Sequence, residues 1–321
     1  MLLPTDANVL KKIAGGVGFT CLIFTATLYI PIIGIISAVM IPLPVSYYRY
    51  KLGRSAGGLI LAISCIVMTI VAGGLSFDLA LFAVFLVLGF VLGEMLEEGA
   101  SVEKTVLYPC LSVIGSGIAL VLFYSAFSQT GFSSLVNLYV KQNLELTLEL
   151  YRQMSMPEET LQALSRSLET IQYVLVRIVP GMAVMSALFV TWINLLMTRS
   201  LVRFRGLKMP DLGSLTRWKS PEVLVWVVIA GGVMLLIPVT FLKIIGLNIV
   251  IALIMIYFIQ GISIVSFYFD KRKFPRILRW VLYGLIGVQQ LFSMLVIGLG
   301  FFDLWIDFRK INKNEKLDTE S

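Results

Sequence analysis

RSLVRFRGLKMPDLGSLTRWKSPE, the stretch Arg199–Glu222, separates a long apolar N-terminal part of the chain from a shorter apolar C-terminal part. Its only acidic residues are Asp211 and Glu222. Six of its residues are basic: Arg199, Arg203, Arg205, Lys208, Arg217 and Lys219. Basic residues that flank apolar spans stay on the cytoplasmic side of a membrane. The stretch therefore predicts a cytoplasmic loop between two groups of membrane helices.

The composition of the whole chain agrees with a membrane protein. Of the 321 residues, 58% are hydrophobic and 14% are charged, whereas soluble domains carry about 25% charged residues. The net charge of +7 could indicate a nucleic-acid partner. Most of the basic residues lie in short loops beside apolar spans, however, so the charge is better explained by membrane topology. We therefore expect membrane lipids, and no nucleic acid, as partners.

The order of apolar segments predicts an all-α, polytopic integral membrane helix bundle with about nine spanning helices, eight being the alternative. We expect it in a bacterial cytoplasmic (inner) membrane, with the N-terminus in the cytoplasm. Its predicted parts are N-terminal membrane helices (1–128), an external helical hairpin (129–170), a kinked spanning helix (171–198), a basic cytoplasmic loop (199–221), C-terminal membrane helices (222–303) and a polar tail (304–321).

The side of the tail depends on the last span, Val281–Phe302. If this segment crosses the membrane once, a tail that contains several basic residues faces outward. If it is re-entrant, the tail returns to the cytoplasmic side, as the distribution of basic residues would favour.

Two apolar stripes at helical spacing predict the external hairpin. The first consists of Val136, Val140, Leu144, Leu148 and Tyr151, and the second of Leu161, Leu164, Leu168, Ile171, Leu175 and Ile178. We expect the two arms to pack through these stripes, and the second arm to continue into the spanning helix, with a kink at Pro180 and Gly181.

Histidine is absent from the sequence, which excludes Ser-His proteolysis, zinc bound by histidine and haem ligated by histidine. The three cysteines, Cys21, Cys65 and Cys110, are isolated within apolar segments and predict neither a disulfide nor a metal site. We expect no cofactor, no metal and no enzymatic activity.

Polar side chains within predicted spans are the candidate ligand-binding residues, because such groups are costly in lipid. They are Gln289, Gln290, Gln260 and Asn194. Their amides could bind a small polar ligand in a cavity between helices. The alternative is a set of interhelical hydrogen bonds, which stabilise membrane bundles by about 0.6 kcal/mol each.

Two acidic clusters have weaker chemical interpretations. Asp303 and Asp307 lie on one face of a helix and could hold Mg²⁺ and a phosphate. An interfacial helix end is favoured instead, with Arg309 pairing with Asp307 or with lipid headgroups. Glu94, Glu97 and Glu98 could suggest a diglutamate protease, but that chemistry needs histidine, so a solvated helix end is favoured.

Pairs of small residues four positions apart predict close helix packing. One pair is Ala14 and Gly18, and the other is Gly89 and Gly93.

Short motifs along nearly the whole chain resemble those of the YybS-like bacterial membrane proteins, a family whose domain has no assigned function. They are Pro42-Leu43-Pro44, Gly99-Ala100-Ser101-x-Glu103-x-Thr105-Val106, Arg217-x-x-x-Pro221-Glu222, Asn248 followed by Gln260-Gly261, and Phe302-Asp303-x-Trp305-x-Asp307-Phe308-Arg309. The terminal motif is the most specific of these.

The N-terminal spans are, in addition, distantly similar to the substrate-binding S components of energy-coupling-factor vitamin transporters. This resemblance implies a transporter-like bundle, with Ala14 and Gly18 on a face that docks onto a membrane coupling subunit. S components are typically bundles of six helices. The present chain departs from them by about three additional spans and by the external hairpin, so the substrate stays open.

Overall fold

The computed structural model describes residues 7–128, 131–154 and 156–310, and this part of the chain forms helices and loops without a β-strand. The α-helices are α1 (Ala7–Tyr29), α2 (Pro31–Met40), α3 (Pro42–Leu52), α4 (Arg54–Val71), α5 (Phe77–Glu97), α6 (Val102–Ser128), α7 (Phe132–Gln153), α8 (Glu158–Phe204), α9 (Val223–Leu236), α10 (Thr240–Lys271), α11 (Arg276–Val288) and α12 (Gln290–Ile306). A short 3-10 helix, Leu215–Arg217, lies within the basic stretch.

Within the described residues, six helices are long and apolar enough to cross a membrane: α1, α4, α5, α6, α8 and α10. The bent pair of α11 and α12 makes seven if it is counted as one span. Three further helices are too short to cross a membrane alone, since α2, α3 and α9 have 10, 11 and 14 residues. The predicted all-α polytopic bundle is confirmed, and the count of nine spans stays a prediction.

The chain forms two compact units. The first contains Met1–Val176 and Ser186–Leu212, and the second contains Arg177–Met185 and Gly213–Ser321. The 47-residue helix α8 therefore contributes to both units. It continues to Phe204, so the beginning of the predicted basic loop is helical. Of the predicted polar tail, residues 311–321 lie outside the described part of the chain.

In the first unit, prolines set the beginnings of two helices. Pro31 and Pro42 are the first residues of α2 and α3, where the missing N–H leaves no hydrogen bond unmade. α3 packs closely against α5, because a Cβ on Gly89 would collide with the carbonyl oxygen of Pro42. Further along the core, the rings of Phe24 and Phe82 stack with their centroids 4.2 Å apart.

The predicted hairpin arms are helical, as α7 and the first part of α8. Every residue of the two stripes is less exposed to solvent than the residues on the outer faces of these helices, and Val140 is buried. A hydrogen bond joins the arms, from the Gln172 side chain to the Asn137 carbonyl at 3.5 Å. The predicted second arm does continue into the long apolar helix, as one element.

In the second unit, Asn248 of α10 compensates for the proline inside α8. A proline at position 180 interrupts the backbone hydrogen bonding of its helix. The Asn248 amide donates to the carbonyl of Arg177 at 2.8 Å, and its Oδ1 accepts from the N–H of Gly181 at 2.6 Å. One side chain thereby satisfies two backbone groups of α8 and fixes this segment against α10.

The backbones of α10 and α12 come into direct contact in the interior of the second unit. A Cβ on Gly261 would collide with the carbonyl of Val296, and one on Gly300 would collide with the carbonyl of Tyr257. The two backbones therefore touch without intervening side chains, as in other membrane helix pairs with glycine at the contact.

The predicted last span, Val281–Phe302, is broken into two helices, an arrangement that is consistent with the re-entrant alternative. Helices α11 and α12 meet at Gln289 with a bend of 98°. At the beginning of the pair, Arg279 donates to the Phe269 carbonyl at 3.0 Å, and after its end, the Phe308 carbonyl accepts from the Tyr268 hydroxyl at 2.8 Å. Both ends thus contact the same last turns of α10. The helix breaks at Gln289, because this residue has an extended backbone that no helix can continue through.

Candidate functional site

The end of α12 carries a fully buried ion pair. The Arg309 Nη2 atom donates to the Asp303 Oδ2 atom at 2.7 Å, and both side chains have no solvent exposure. Asp307 ends the helix in the left-handed conformation, with a φ of 43°, and this reverses the chain. The reversal brings Arg309 back against Asp303, and the Phe308 N–H donates to Asp303 Oδ1 at 3.1 Å. The terminal motif is therefore a folded unit.

The same arginine fastens the loop that precedes α9. Arg309 Nη1 donates to the carbonyls of Thr216 and Trp218, at 3.0 and 2.9 Å. Beside it, Lys219 pairs with Asp307 at 2.9 Å. One ion pair and two hydrogen bonds to backbone carbonyls therefore hold the end of the basic stretch onto the end of α12.

These contacts correct the interpretation of the two aspartates. Asp303 and Asp307 each have a different cationic partner, so they do not act together on a metal ion. Arg309 pairs with the buried Asp303 rather than with Asp307, whereas the interfacial position of the helix end stays a prediction. Among the described residues, no group of three or more histidine, cysteine, aspartate or glutamate side chains could hold a metal.

Gln260 of α10 extends this network. Its Nε2 atom donates to Asp303 Oδ2 at 3.2 Å, and its Oε1 atom accepts from the Ser220 N–H at 3.2 Å and from the Ser220 hydroxyl. The amide is thereby fixed in one orientation, because its nitrogen faces a carboxylate and its oxygen faces two donors.

A cavity of about 80 Å³ adjoins this amide. Its lining residues are Lys219, Ser220, Glu222, Val225, Tyr257, Gln260, Gly300, Phe301 and Leu304. Tyr257 is 2% exposed, and its hydroxyl has no hydrogen-bond partner in the structure. The Phe301 ring packs edge-on against the Tyr257 ring, with centroids 5.3 Å apart. A buried phenol beside polar neighbours and free volume is the arrangement expected of a site for a small polar molecule.

A second ionic cluster lies in the first unit. Arg49 of α3 is 2% exposed and binds two carboxylates of α5. Its Nε and Nη2 atoms donate to Glu94 Oε2 at 3.1 and 2.6 Å, and its Nη1 atom donates to Glu97. The stem of Arg49 packs against Gly57 and Gly93, where a Cβ would be within 2.9 Å of it. The favoured solvated helix end is thus wrong for Glu94 and holds for the exposed Glu98.

The four predicted ligand-binding residues do not form one site. Only Gln260 lines the cavity. Asn194 is fully buried in the first unit, where its amide donates to the carbonyls of Val39 and Val190, both at 2.8 Å, and so joins α8 to α2. Gln289 and Gln290 are exposed at the break between α11 and α12. Asn194 therefore matches the alternative interpretation, an interhelical hydrogen bond.

The predicted small-residue pairs also divide. Gly89 and Gly93 lie at the contact between α3 and α5. Ala14 and Gly18 are exposed, and nothing lies within 4 Å of a Cβ built on Gly18. The face of α1 that packs within the chain carries Gly16 instead, whose Cβ would collide with Ile60. Within the chain, the close contact of α1 is therefore made by Gly16 rather than by Ala14 or Gly18, and the docking role of this exposed pair stays a prediction.

Sequence reasoning missed Tyr257, Ser220 and Lys219. Tyr257 is three residues before Gln260, so both lie on one face of α10, and this spacing is a signal that could have linked them. Ser220 and Lys219 come from a loop whose path the sequence does not specify.

No curated protein and no solved structure matches the chain. A family model described as "Predicted membrane protein (DUF2232)" matches residues 18–304. The match covers every helix from α2 to α11 and most of α1 and α12, and it is consistent with the resemblance to the YybS-like membrane proteins. The chain belongs to this family of multi-pass membrane proteins.

Proposed function

We propose that the chain is a membrane component that binds a small polar molecule, as part of a transporter in a bacterial cytoplasmic membrane. The observation that carries this proposal is the cavity at Tyr257, whose buried hydroxyl has no partner. A buried hydroxyl without a partner destabilises the fold by about 1–3 kcal/mol. The hydroxyl oxygen is closed to solvent, so a small shift of the Tyr257 ring toward the cavity would let a bound molecule hydrogen-bond to it and remove this destabilisation.

The size of the cavity limits the ligand. One water molecule needs about 10–15 Å³ of cavity volume. The cavity of about 80 Å³ therefore accommodates several waters or a group of a few heavy atoms. Glu222 and Lys219 supply one charge of each sign at the rim, and Lys219 is already paired with Asp307. The proposed ligand is therefore small and polar, and it needs no metal or cofactor. The proposal includes no catalytic step.

The remaining assignments extend the proposal. The N-terminus lies in the cytoplasm, because this places both basic segments, 199–221 and 270–279, on the cytoplasmic side. A membrane coupling subunit is the proposed partner, and the exposed face of α1 with Ala14 and Gly18 is the proposed contact. The basic residues serve topology and lipid contact rather than nucleic-acid binding.

The test compares two tyrosine variants of the second unit. Tyr257→Phe removes a hydroxyl that has no partner, whereas Tyr283→Phe removes one that is 2.7 Å from the Ser266 hydroxyl. Each protein is purified in mild detergent, and the small molecules that copurify are measured by mass spectrometry. We expect Tyr257→Phe to lose a molecule that the wild type and Tyr283→Phe retain. Retention of every small molecule by Tyr257→Phe contradicts the proposal.

A second candidate function, a membrane scaffold or assembly factor, is favoured by a different observation. The side of α7 that faces away from the hairpin stripe exposes four large apolar residues: Leu138, Tyr139, Leu146 and Leu150. A partner protein that covers this side would copurify with the chain in the absence of any small molecule. Replacing Leu146 and Leu150 with serine would then release that partner without affecting the cavity.

A further inference from the structure

Helix α11 presents an apolar face that no described part of the chain covers. We call it the α11 outer face, and it consists of Ile277, Trp280, Val281 and Val288. Trp280 and Val288 are 77% and 89% exposed. These positions recur at helical spacing, so they form one stripe along the whole helix.

The opposite face of α11 fixes the helix to α10. The Tyr283 hydroxyl lies 2.7 Å from the Ser266 hydroxyl, and the Tyr283 ring packs against Phe269. Arg279 donates to the carbonyls of Phe269 and Phe274, both at 3.0 Å, and pairs with Asp270. The helix is therefore held in place with its apolar stripe turned outward.

Positive charge surrounds the beginning of this helix. Four exposed basic residues, the basic collar, lie at the turn from α10 into α11: Lys271, Arg272, Lys273 and Arg276. Within residues 262–288 the only acid is Asp270, and it pairs with Arg279. The collar therefore has a net positive charge that residues of its own segment do not neutralise.

The geometry of the pair places the collar and the stripe at successive depths. Both ends of the α11–α12 pair contact the last turns of α10, so the pair enters and leaves on one side. Trp280 follows Arg276 by four residues, which is about 6 Å along a helix. Where a helix passes from lipid headgroups into acyl chains, its basic residues are followed by an interfacial tryptophan and then by aliphatic residues.

We propose that the α11 outer face and the basic collar form a binding surface for anionic lipids, with the phosphate groups on the collar and the acyl chains on the stripe. Helices α11 and α12 then form a re-entrant element of the leaflet on which the basic segments lie. Residues on either side of the pair remain on one side of the membrane, and Gln289 marks its deepest point.

The lipid contact is tested with the whole chain in nanodiscs. The collar variant combines Lys271→Gln, Arg272→Gln and Lys273→Gln. A control variant combines Lys141→Gln, Arg152→Gln and Arg166→Gln, which removes the same charge from exposed positions on α7 and α8. Retention of phosphatidylglycerol over phosphatidylcholine is measured by native mass spectrometry. Juxtamembrane basic residues contribute about 1 kcal/mol each, so we expect roughly 100-fold weaker retention in the collar variant and none of this loss in the control. Equal retention in both variants overturns the proposal.

The re-entrant geometry is tested by the side of two single cysteines. After replacement of Cys21, Cys65 and Cys110 by alanine, Lys273→Cys and Lys310→Cys are introduced separately, one on each side of the pair. Sealed vesicles are treated with a membrane-impermeant maleimide. We expect both positions to label from the same side. Labelling from opposite sides would show that the pair crosses the membrane, and the proposal would fail whatever the outcome for the cavity at Tyr257.

Discussion

The two buried ionic clusters differ in how completely they are satisfied. In the first unit, Arg49 binds two carboxylates, and its three guanidinium nitrogens all have acidic partners. In the second unit, Arg309 binds one carboxylate and two backbone carbonyls, and its Nε atom has no partner. A buried hydroxyl without a partner lies near the second cluster, at Tyr257 of the cavity that Gln260 lines.

This difference is consistent with a structural role for the first cluster and with the binding role that we propose for the second. Each buried polar group without a partner destabilises the fold, and Asn194, which joins two helices, also has an Oδ1 atom without a partner. Incomplete hydrogen bonding therefore favours a binding role only where free volume adjoins it. The first cluster fits a structural role, since Gly57 and Gly93 leave room only for the arginine stem. The second combines a rigid network with incomplete hydrogen bonding and free volume, which is typical of binding sites.

The largest expected effect comes from the cluster with one carboxylate. Asp303→Asn leaves the buried charge of Arg309 without a counter-charge, and such changes cost about 3–5 kcal/mol in free energy of unfolding. Asp307→Asn is the control, because Asp307 and Lys219 are 20% and 25% exposed and the pair is screened by solvent, which limits the loss to about 1 kcal/mol. Unfolding in mild detergent measures both. Equal losses would mean that Arg309 is not buried as described.

A smaller loss is expected from the cluster with two carboxylates. Glu94→Gln removes a charged acceptor of two hydrogen bonds, but Glu97 still faces Arg49, so we expect a loss of about 1.5–3 kcal/mol. Glu97→Gln should cost less than about 1 kcal/mol, because Glu97 is nearly half exposed. The double variant should lose more than the sum of the two. If Glu94→Gln is as damaging as Asp303→Asn, the second carboxylate gives no redundancy.

The third prediction concerns the wall of the cavity. Gly300→Ala places a methyl group against the backbone carbonyl of Tyr257, which cannot move without separating α12 from α10. We expect a loss of about 1–3 kcal/mol, together with loss of the retained small molecule. Gly298→Ala on the same helix is the matched control, since nothing lies within 4 Å of its Cβ. Equal melting temperatures for the two variants would contradict the close α10–α12 contact.

Features that depend on neighbouring residues could be predicted from the sequence. Pro31 and Pro42 begin helices because a proline cannot continue the preceding one, and the hairpin stripes follow from the 3.6-residue period. The same rule accounts for the end of α9 at Leu236, because Pro238 follows it.

Features that depend on the path of the chain could not be predicted. Arg49 and Glu94 are 45 residues apart, and their pairing requires that α3 and α5 pack together. Asp303 pairs with Arg309 because of a left-handed residue between them, whereas helical periodicity relates Asp303 to Asp307. The position of the break at Gln289 could not be predicted either, because the apolar run from Val281 to Phe302 left a single crossing and a re-entrant segment both open.

The smallest expected effect concerns the two predicted ligand-binding residues at the break between α11 and α12. Gln289 and Gln290 are exposed and do not line the cavity, so the double variant Gln289→Leu, Gln290→Leu should change the free energy of unfolding by no more than about 0.5 kcal/mol. Retention of the small molecule should also be unchanged. Gln260→Leu, in contrast, removes the hydrogen bond that Gln260 donates to Asp303 and the one that it accepts from Ser220. This variant should have a lower free energy of unfolding and should not retain the small molecule. Melting temperature and copurifying metabolites are measured on the same samples. If the double variant loses the small molecule at unchanged stability, the ligand binds at the break between α11 and α12, and the incomplete hydrogen bonding at Tyr257 has another cause.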